Sequence, residues 1–424
     1  MKRLKRLALL CTAALALASC SDNTPKQVTI GNETIELTAP GNIASMNVKS
    51  GKYTFTNVTT GVAKELEYPL SSDASVEEGL YNVKFEGEAE VLVDLTKAAD
   101  EEEAPTPVTV KMQGVANNIV VKADGTFSLE LKLSVVPEAS NDFVISEIYY
   151  VGSAYAPDAS GKQKQYNGDQ YIKITNNSDT VLFADGLALC ESEFTTSQKK
   201  SGLTPDVRDE AITVDCFMVI PGSGTDYPVQ PGESIILCDN AQNHKEADPS
   251  FMNLSGANFE WYTSSTSSTT TDTDNPAVPN LDIYYCYTRT IFVFNKQGTK
   301  AYALARLPEG MTKEKWLNDY AYTYTYTLVT GKPSKGSTAY KVPNEWVVDA
   351  VELRSYKSEF AWPVFDPSFD ISYTYCGDLN AGSIDFGTAV RRKVASTTED
   401  GRQILQDTNN SAEDFERNVT PSMK

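Results

Sequence analysis

Apolar and polar residues alternate with a period of two through most of residues 28–138. Thr29-Ile-Gly-Asn-Glu-Thr-Ile-Glu-Leu37, Gly51-Lys-Tyr-Thr-Phe-Thr-Asn-Val58 and Gly79-Leu-Tyr-Asn-Val-Lys-Phe-Glu-Gly87 each set their large hydrophobic side chains on one face. Val108-Thr-Val-Lys-Met112 and Phe127-Ser-Leu-Glu-Leu-Lys-Leu133 repeat the pattern, which is that of half-buried strands. Glycine, Asn and Asp punctuate the runs as hairpin turns do. About seven short strands in this span predict a β-sandwich. Asp100-Glu-Glu-Glu-Ala-Pro-Thr-Pro107 interrupts it as a solvated, proline-bearing loop.

Beyond residue 139 the runs are more continuously apolar. Phe143-Val-Ile-Ser-Glu-Ile-Tyr-Tyr150 reads as an apolar strand with one embedded acid, Glu147. Pro231-Gly232 sets a turn before the apolar Ser234-Ile-Ile-Leu-Cys238. Residues 240–290 read as a long insertion, with a polar low-complexity stretch from Thr263 to Asn275 that cannot build a core. Asp272-Thr-Asp274 lacks the glycine and the downstream glutamate of a calcium loop. Residues 396–424 read as a C-terminal tail, in which Ser411 and Asp414 cap a short helix and Asp407 or Asp414 pairs with the basic Arg391-Arg392-Lys393. The expected architecture is all-β: one sandwich at 28–138, then a larger one with insertions at 139–395.

One stretch stands apart. In Tyr320-Ala-Tyr-Thr-Tyr-Thr-Tyr326, a strand would put Tyr320, Tyr322, Tyr324 and Tyr326 on one face and the small residues on the other. Turned inward, the four rings bring hydroxyls that need partners. Turned outward, they offer stacking area to a glycan or a partner protein. Packing is the default, yet with Tyr284, Tyr285 and Tyr287 this stripe is the candidate binding surface.

The first nineteen residues are a leader. Lys2, Arg3, Lys5 and Arg6 precede an apolar stretch from Leu7 to Ala18 that is too short to span a bilayer. Leu17-Ala18-Ser19-Cys20 resembles the lipobox of bacterial lipoprotein signals, which implies cleavage before Cys20, lipidation of that cysteine and a tether at 20–27. Each buried acyl CH₂ contributes about 0.8 kcal/mol, so several chains hold such a protein to a membrane almost permanently. Ser21, rather than an aspartate, after the cysteine favours the outer membrane, and Asp22 leans the reading toward the cell surface over a periplasm-facing location.

Composition narrows the chemistry. The chain has 57 acidic and 37 basic residues, a net charge of −20, and four of the bases lie in the leader. Such a surface repels nucleic acid. Its one histidine, His244, lies in a polar loop and reads as a satisfied loop residue; Ser-His and Cys-His catalysis need a histidine beside the nucleophile. Ser197-Gln-Lys-Lys200 matches S-x-x-K without the partner motifs that give it meaning. Cys190, Cys216, Cys238, Cys286 and Cys376 are widely spaced and odd in number, so at most one disulfide is expected and no zinc site. The expectation is no catalytic residue, no metal and no cofactor. Paired carboxylates remain open, because acids are plentiful.

Three resemblances bear on this picture. The element around Thr56-Asn-Val-Thr-Thr-Gly61 and Gly79-Leu80-Tyr81 resembles transthyretin-like, carboxypeptidase-regulatory-type domains. Ile145, Glu147, Ile148, Tyr171, Ile172, Ile174, Asn176, Asn177, Gly186 and Leu189 resemble the core pattern of the lamin-tail domain, with Lys173 where that family often has glutamate. Pro231-Gly-Glu-Ser234 to Cys238, Phe294 to Leu304 and Trp346 to Val351 extend it. That resemblance implies an immunoglobulin-like sandwich. As a whole the chain resembles Bacteroidetes DUF4876-type lipoproteins, whose function is undefined. The expected function is a non-catalytic outer-membrane lipoprotein that binds a ligand or partner, such as a glycan or an outer-membrane nutrient receptor. A structural or adhesive surface protein is the alternative, and a carboxylate-based hydrolase the third reading.

Overall fold

The computed structural model describes residues 25–39, 43–93, 107–135, 142–264, 271–288, 290–398 and 400–424. The leader, Cys20 and nearly all of the acidic 100–107 loop lie outside them. The fold is all-β, as the alternation predicts.

The N-terminal sandwich is built on β1 (Ile43–Asn57), β2 (Ala63–Tyr68), β3 (Gly79–Val93) and β4 (Val108–Val121), in the order β2-β1-β3-β4 with Ser134–Val135 at the far edge. Tyr53, Phe55, Val83, Phe85, Val110 and Met112 alternate inward. A parallel ribbon, Ile35–Thr38 with Leu129–Lys132, adds Leu129 and Leu131 to the same core. The strands are longer than the expected short ones: β1 pairs with β3 from Ile43 opposite Val93 to Asn57 opposite Tyr81, with register shifts between Ile43 and Ser45 and between Val48 and Ser50. Gly51 and Gly87, at the ends of runs that glycine is expected to punctuate, lie inside strands, as does Gly114. The Phe85 ring lies across the first two: a Cβ on Gly51 would strike that ring, and one on Gly87 the Ser50 carbonyl oxygen and the same ring, whereas one on Gly114 would meet Leu133 and the Lys132 carbonyl. Gly87→Val is therefore expected to destabilise this sandwich by about 3 kcal/mol, the scale of overpacking. Hydrogen exchange of β1 and β3 reads it directly.

The second unit stacks two sheets. Along the chain come β5 (Phe143–Tyr149), β6 (Tyr171–Asn176), β7 (Leu187–Ser192), β8 (Ala211–Val219), β9 (Ser234–Cys238) and β10 (Phe259–Glu260). They are followed by β11 (Asp282–Cys286), β12 (Ala301–Arg306), helix α1 (Lys313–Asp319), β13 (Ala321–Tyr324), β14 (Ser337–Pro343), β15 (Val347–Glu352), β16 (Ala389–Arg392) and β17 (Phe415–Val419). One sheet runs β10-β9-β6-β5-β16-β17 and the other β13-β14-β8-β7-β12-β15, with β11 also paired to β8. Between them lie Phe143, Ile145, Ile148, Leu189, Met218, Tyr302, Leu304 and Val351.

The second sheet is covered on its other face too, which explains its continuously apolar strands. Ala188, Ala301, Ala303, Ala305 and Ala350 are small enough on that face to admit Trp316, Trp346 and Trp362. The 240–290 insertion is not merely a loop: Met252, Leu254, Phe259 and Trp261 are buried in the core, and β11 joins the sheet. The tail also belongs to the body of the fold, because β17 pairs with β16 as the outermost strand of the first sheet.

A buried ion network ties that tail down. Arg392 donates to both carboxylate oxygens of Asp349 (2.9 and 2.8 Å), to Asp407 (3.0 Å) and to the Ile145 carbonyl (2.9 Å). Asp414 stands 3.6 Å away, and the guanidinium lies 4.8 Å from the Phe415 ring centre. Both aspartates named in the sequence reading are thus in this cluster. On the neighbouring strand position Arg391 pairs with the buried Glu147 at 2.5 Å, and Glu147 also accepts the Ser422 N–H at 2.8 Å. Among the described residues no helix is long and apolar enough to cross a membrane.

Candidate functional site

One edge of β8 is shared by two short strands. β14 pairs with it over Ala211 to Val214, and β11 takes over from Cys216 to Val219. Asp215 falls at the seam. It is also a bulge, since Glu191 of β7 faces Cys216 while Ser192 faces Val214. A bulge adds a residue to one strand and re-aims its side chain, a device common beside functional sites.

The seam gathers charge into a dry place. Lys300 Nζ contacts Asp215 Oδ2 at 2.5 Å and donates to the Ser192 carbonyl at 2.6 Å, while the Tyr302 hydroxyl donates to Glu191 Oε2 at 2.7 Å. Glu191 is 2 % exposed and Asp215 5 %. Burial first, and then the neighbouring Asp215, push Glu191 well above the usual carboxylate range. Burial raises Asp215 to about 6 against the pull of Lys300. Burial thus favours the protonated form of both acids, and Asp215 is the one that Lys300 contacts. Two acids with separated affinities resemble an acid–base pair. Here they are sealed under Tyr302, Ser192 and Lys300, so the arrangement stabilises the seam rather than meeting a substrate.

The predicted tyrosines rim this seam. Tyr324 is buried and donates to Glu193 Oε1 at 2.8 Å, and the Tyr322 hydroxyl shares a 2.7 Å hydrogen bond with Thr213 Oγ1. Tyr326 is half-buried and stacks with Tyr324 at 6.5 Å, with Lys200 Nζ 4.5 Å from its ring centre. Tyr320 caps α1 and sets its ring against Trp346 at 5.0 Å. Across the seam Tyr284 donates to the Met311 carbonyl at 3.3 Å and the Tyr285 ring lies 4.4 Å from that of Tyr340. Tyr287 is 56 % exposed. The stripe is thus not an open strand face but a half-buried ladder, with the Tyr322 and Tyr324 hydroxyls spent on the fold and the rings packed against neighbours. Four of the seven, Tyr285, Tyr287, Tyr322 and Tyr324, stand around Glu193, Thr213 and Asp215.

The acids and Lys300 escaped the sequence reading. The available signal was a charge inside an apolar strand, in Leu187-Ala-Leu-Cys-Glu-Ser192 and in Ala211-Ile-Thr-Val-Asp-Cys-Phe-Met-Val219, because such acids are rarely buried unpaired. His244 is the satisfied residue expected: a carbonyl only accepts, so Nε2–H donates to the Asn240 oxygen (2.8 Å) and the Tyr166 hydroxyl donates to Nδ1 (2.7 Å). Among the described residues no group of three or more His, Cys, Asp or Glu side chains is arranged to hold a metal. A separate groove of about 250 Å³ lies on the N-terminal sandwich, lined by Leu37, Met46, Val48, Tyr53 and Tyr68.

These features define an all-β protein whose tyrosine-rimmed seam belongs to the second, two-sheet unit. Residues 230–422 match the family described as "Protein of unknown function (DUF4876)". The fold is similar to that in the crystal structure of a DUF4876 family protein from Bacteroides thetaiotaomicron VPI-5482, at 23 % identity and a TM-score of 0.53, over 94 % of this chain and 96 % of that one. No curated protein matches the chain.

Proposed function

We propose that this chain is a non-catalytic lipoprotein, anchored in the outer membrane through Cys20 and displayed at the cell surface, that binds a ligand or partner at the tyrosine rim. The observation that carries the reading is the rim itself: rigid aromatic rings around Glu193, with Tyr287 open to solvent. Rings fixed by packing lose little entropy on binding, which is why binding surfaces favour tyrosine. A carboxylate among them accepts hydrogen bonds from sugar hydroxyls or pairs with a basic side chain. The sealing of Glu191 and Asp215 weighs against a carboxylate hydrolase. An outer-membrane receptor that imports nutrients is a fitting partner for a protein so placed.

Two measurements test this. Cys20→Ser is expected to move the protein from the membrane fraction to the soluble one and to abolish acyl labelling; a variant that stays membrane-bound removes the anchor. Tyr285→Ala with Tyr287→Ala is expected to weaken capture on a polysaccharide array, or of a co-purifying outer-membrane receptor, at least tenfold, about 1.4 kcal/mol. Capture that survives with an unchanged melting midpoint removes the rim as the binding site.

A further inference from the structure

Cys216 of β8 and Cys286 of β11 face each other across the seam. The Tyr287 N–H donates to the Asp215 carbonyl at 2.8 Å. That bond joins the residue after Cys286 to the residue before Cys216, so the cysteines form a non-hydrogen-bonded antiparallel pair. In such pairs the Cα atoms lie about 4.5 Å apart and the side chains approach each other, within the roughly 4.4–6.8 Å that a disulfide spans. We infer that Cys216 and Cys286 are a cross-strand dithiol that closes to a disulfide when a disulfide-form oxidant is present.

The surroundings suit this. Cys216 is buried, whereas Cys286 is only partly so and can be reached. The Cys216 thiol, hydrogen-bonding to Cys286, holds Cys286 below its ordinary thiol value, and burial pushes Cys216 up. The other described cysteines have no such partner in register: Cys190 points to the opposite face of the sheet, packed with Phe194 and Val214. Cys238 lies opposite Tyr171 in the other sheet, and the Cys376 N–H donates to the Tyr150 hydroxyl. An odd set of cysteines is thereby resolved into one pair and three buried thiols.

The steps balance with a small disulfide such as oxidised glutathione. Cys286 gives its proton to solvent, and its thiolate attacks one sulfur of the oxidant, forming a mixed disulfide and expelling a thiolate that takes up a proton. The Cys216 sulfur then attacks Cys286 Sγ and expels the second thiolate, which takes up the proton Cys216 releases. Two protein thiols are oxidised and one disulfide is reduced to two thiols. The product staples β11, a five-residue strand paired only to β8, and with it fixes Tyr284 and Tyr285 at the rim. The pair would form whatever ligand the rim takes.

The test exposes the full-length protein to excess oxidised glutathione, blocks remaining thiols by alkylation and maps the peptides by mass spectrometry. The expected result is a linked peptide joining Cys216 to Cys286. The melting midpoint should also rise by several degrees relative to the reduced protein, reversibly, and the rise should vanish in Cys286→Ser. Free alkylated thiols at both positions, a different pairing, or a glutathione adduct that persists on Cys286 would each overturn the inference. Because the mapping uses the unaltered chain, a misfolded variant does not obscure the outcome.

Discussion

Replacing Arg392 by methionine is expected to lower the stability of the second unit by about 3–5 kcal/mol, the cost of leaving buried charges without their partner. The guanidinium is the one cation among Asp349, Asp407 and Asp414, and it also donates to the Ile145 and Gln406 carbonyls. Methionine fills much of the volume but leaves three acids to be protonated or hydrated. All four tryptophans, Trp261, Trp316, Trp346 and Trp362, lie in this unit, so tryptophan fluorescence during denaturant unfolding reports on it alone. Hydrogen exchange should quicken most in β17 and the segment around Asp407, which this hub holds to β16. Adding Asp349→Leu should recover part of the loss, because the paired variant buries neither charge. A single variant losing under about 1 kcal/mol would show that the hub is replaceable by solvent.

Stability of the second unit is expected to fall as pH rises from about 4 to about 7. Burial raises Asp215 to about 6, and it raises Asp370 to about 7 despite the N–H donors of Glu352, Ser372 and Ser411. Between its ordinary value near 3.9 and the raised one, each acid binds a proton in the folded state that the unfolded chain has released. The stabilisation is therefore complete below the lower value and lost through the upper one, on the order of 3 kcal/mol for each acid. Glu191 and Glu352, pushed up mainly by burial, act in the same direction. Asp185 opposes them at lower pH: burial raises it, but the N–H groups of Asp226, Tyr227 and Gly224 outweigh burial and hold it down, so its contribution is lost as pH falls through its depressed value. The melting midpoint by tryptophan fluorescence should peak near pH 4–5 and decline by pH 7–8, and Asp370→Asn should flatten the decline. A profile that rises across this range contradicts the assignment.

Both effects depend on polar residues that an all-β pattern gives no reason to single out. The period-two alternation marked β1, β3 and β4 because each has one wet and one dry face. The apolar runs marked β5 and β9, strands that the structure covers on both faces. Glycine misled in the N-terminal sandwich, since a missing side chain serves a turn and an aromatic ring lying across a strand equally well. Only the packing of Phe85 over Gly51 and Gly87 decides between them.

The tyrosines were legible as a group by their spacing, and their half-buried state followed from the default that aromatic hydroxyls find partners. What local pattern could not reveal is which distant segments meet. Glu191, Asp215 and Lys300 come together from three strands or their flanks, and the bulge that aims Asp215 arises from the meeting of β11 and β14 on one edge. Cys216 and Cys286 acquire a common chemistry only through register. The sequence by itself determined an all-β chain, because that rests on local periodicity. The tertiary structure alone brought Asp349 to Arg392 beside the Asp407 and Asp414 that the sequence already pairs with the basic triplet, and it alone decided the sealed carboxyl pair and the facing thiols, because buried charge and side-chain chemistry are set by neighbours remote in sequence.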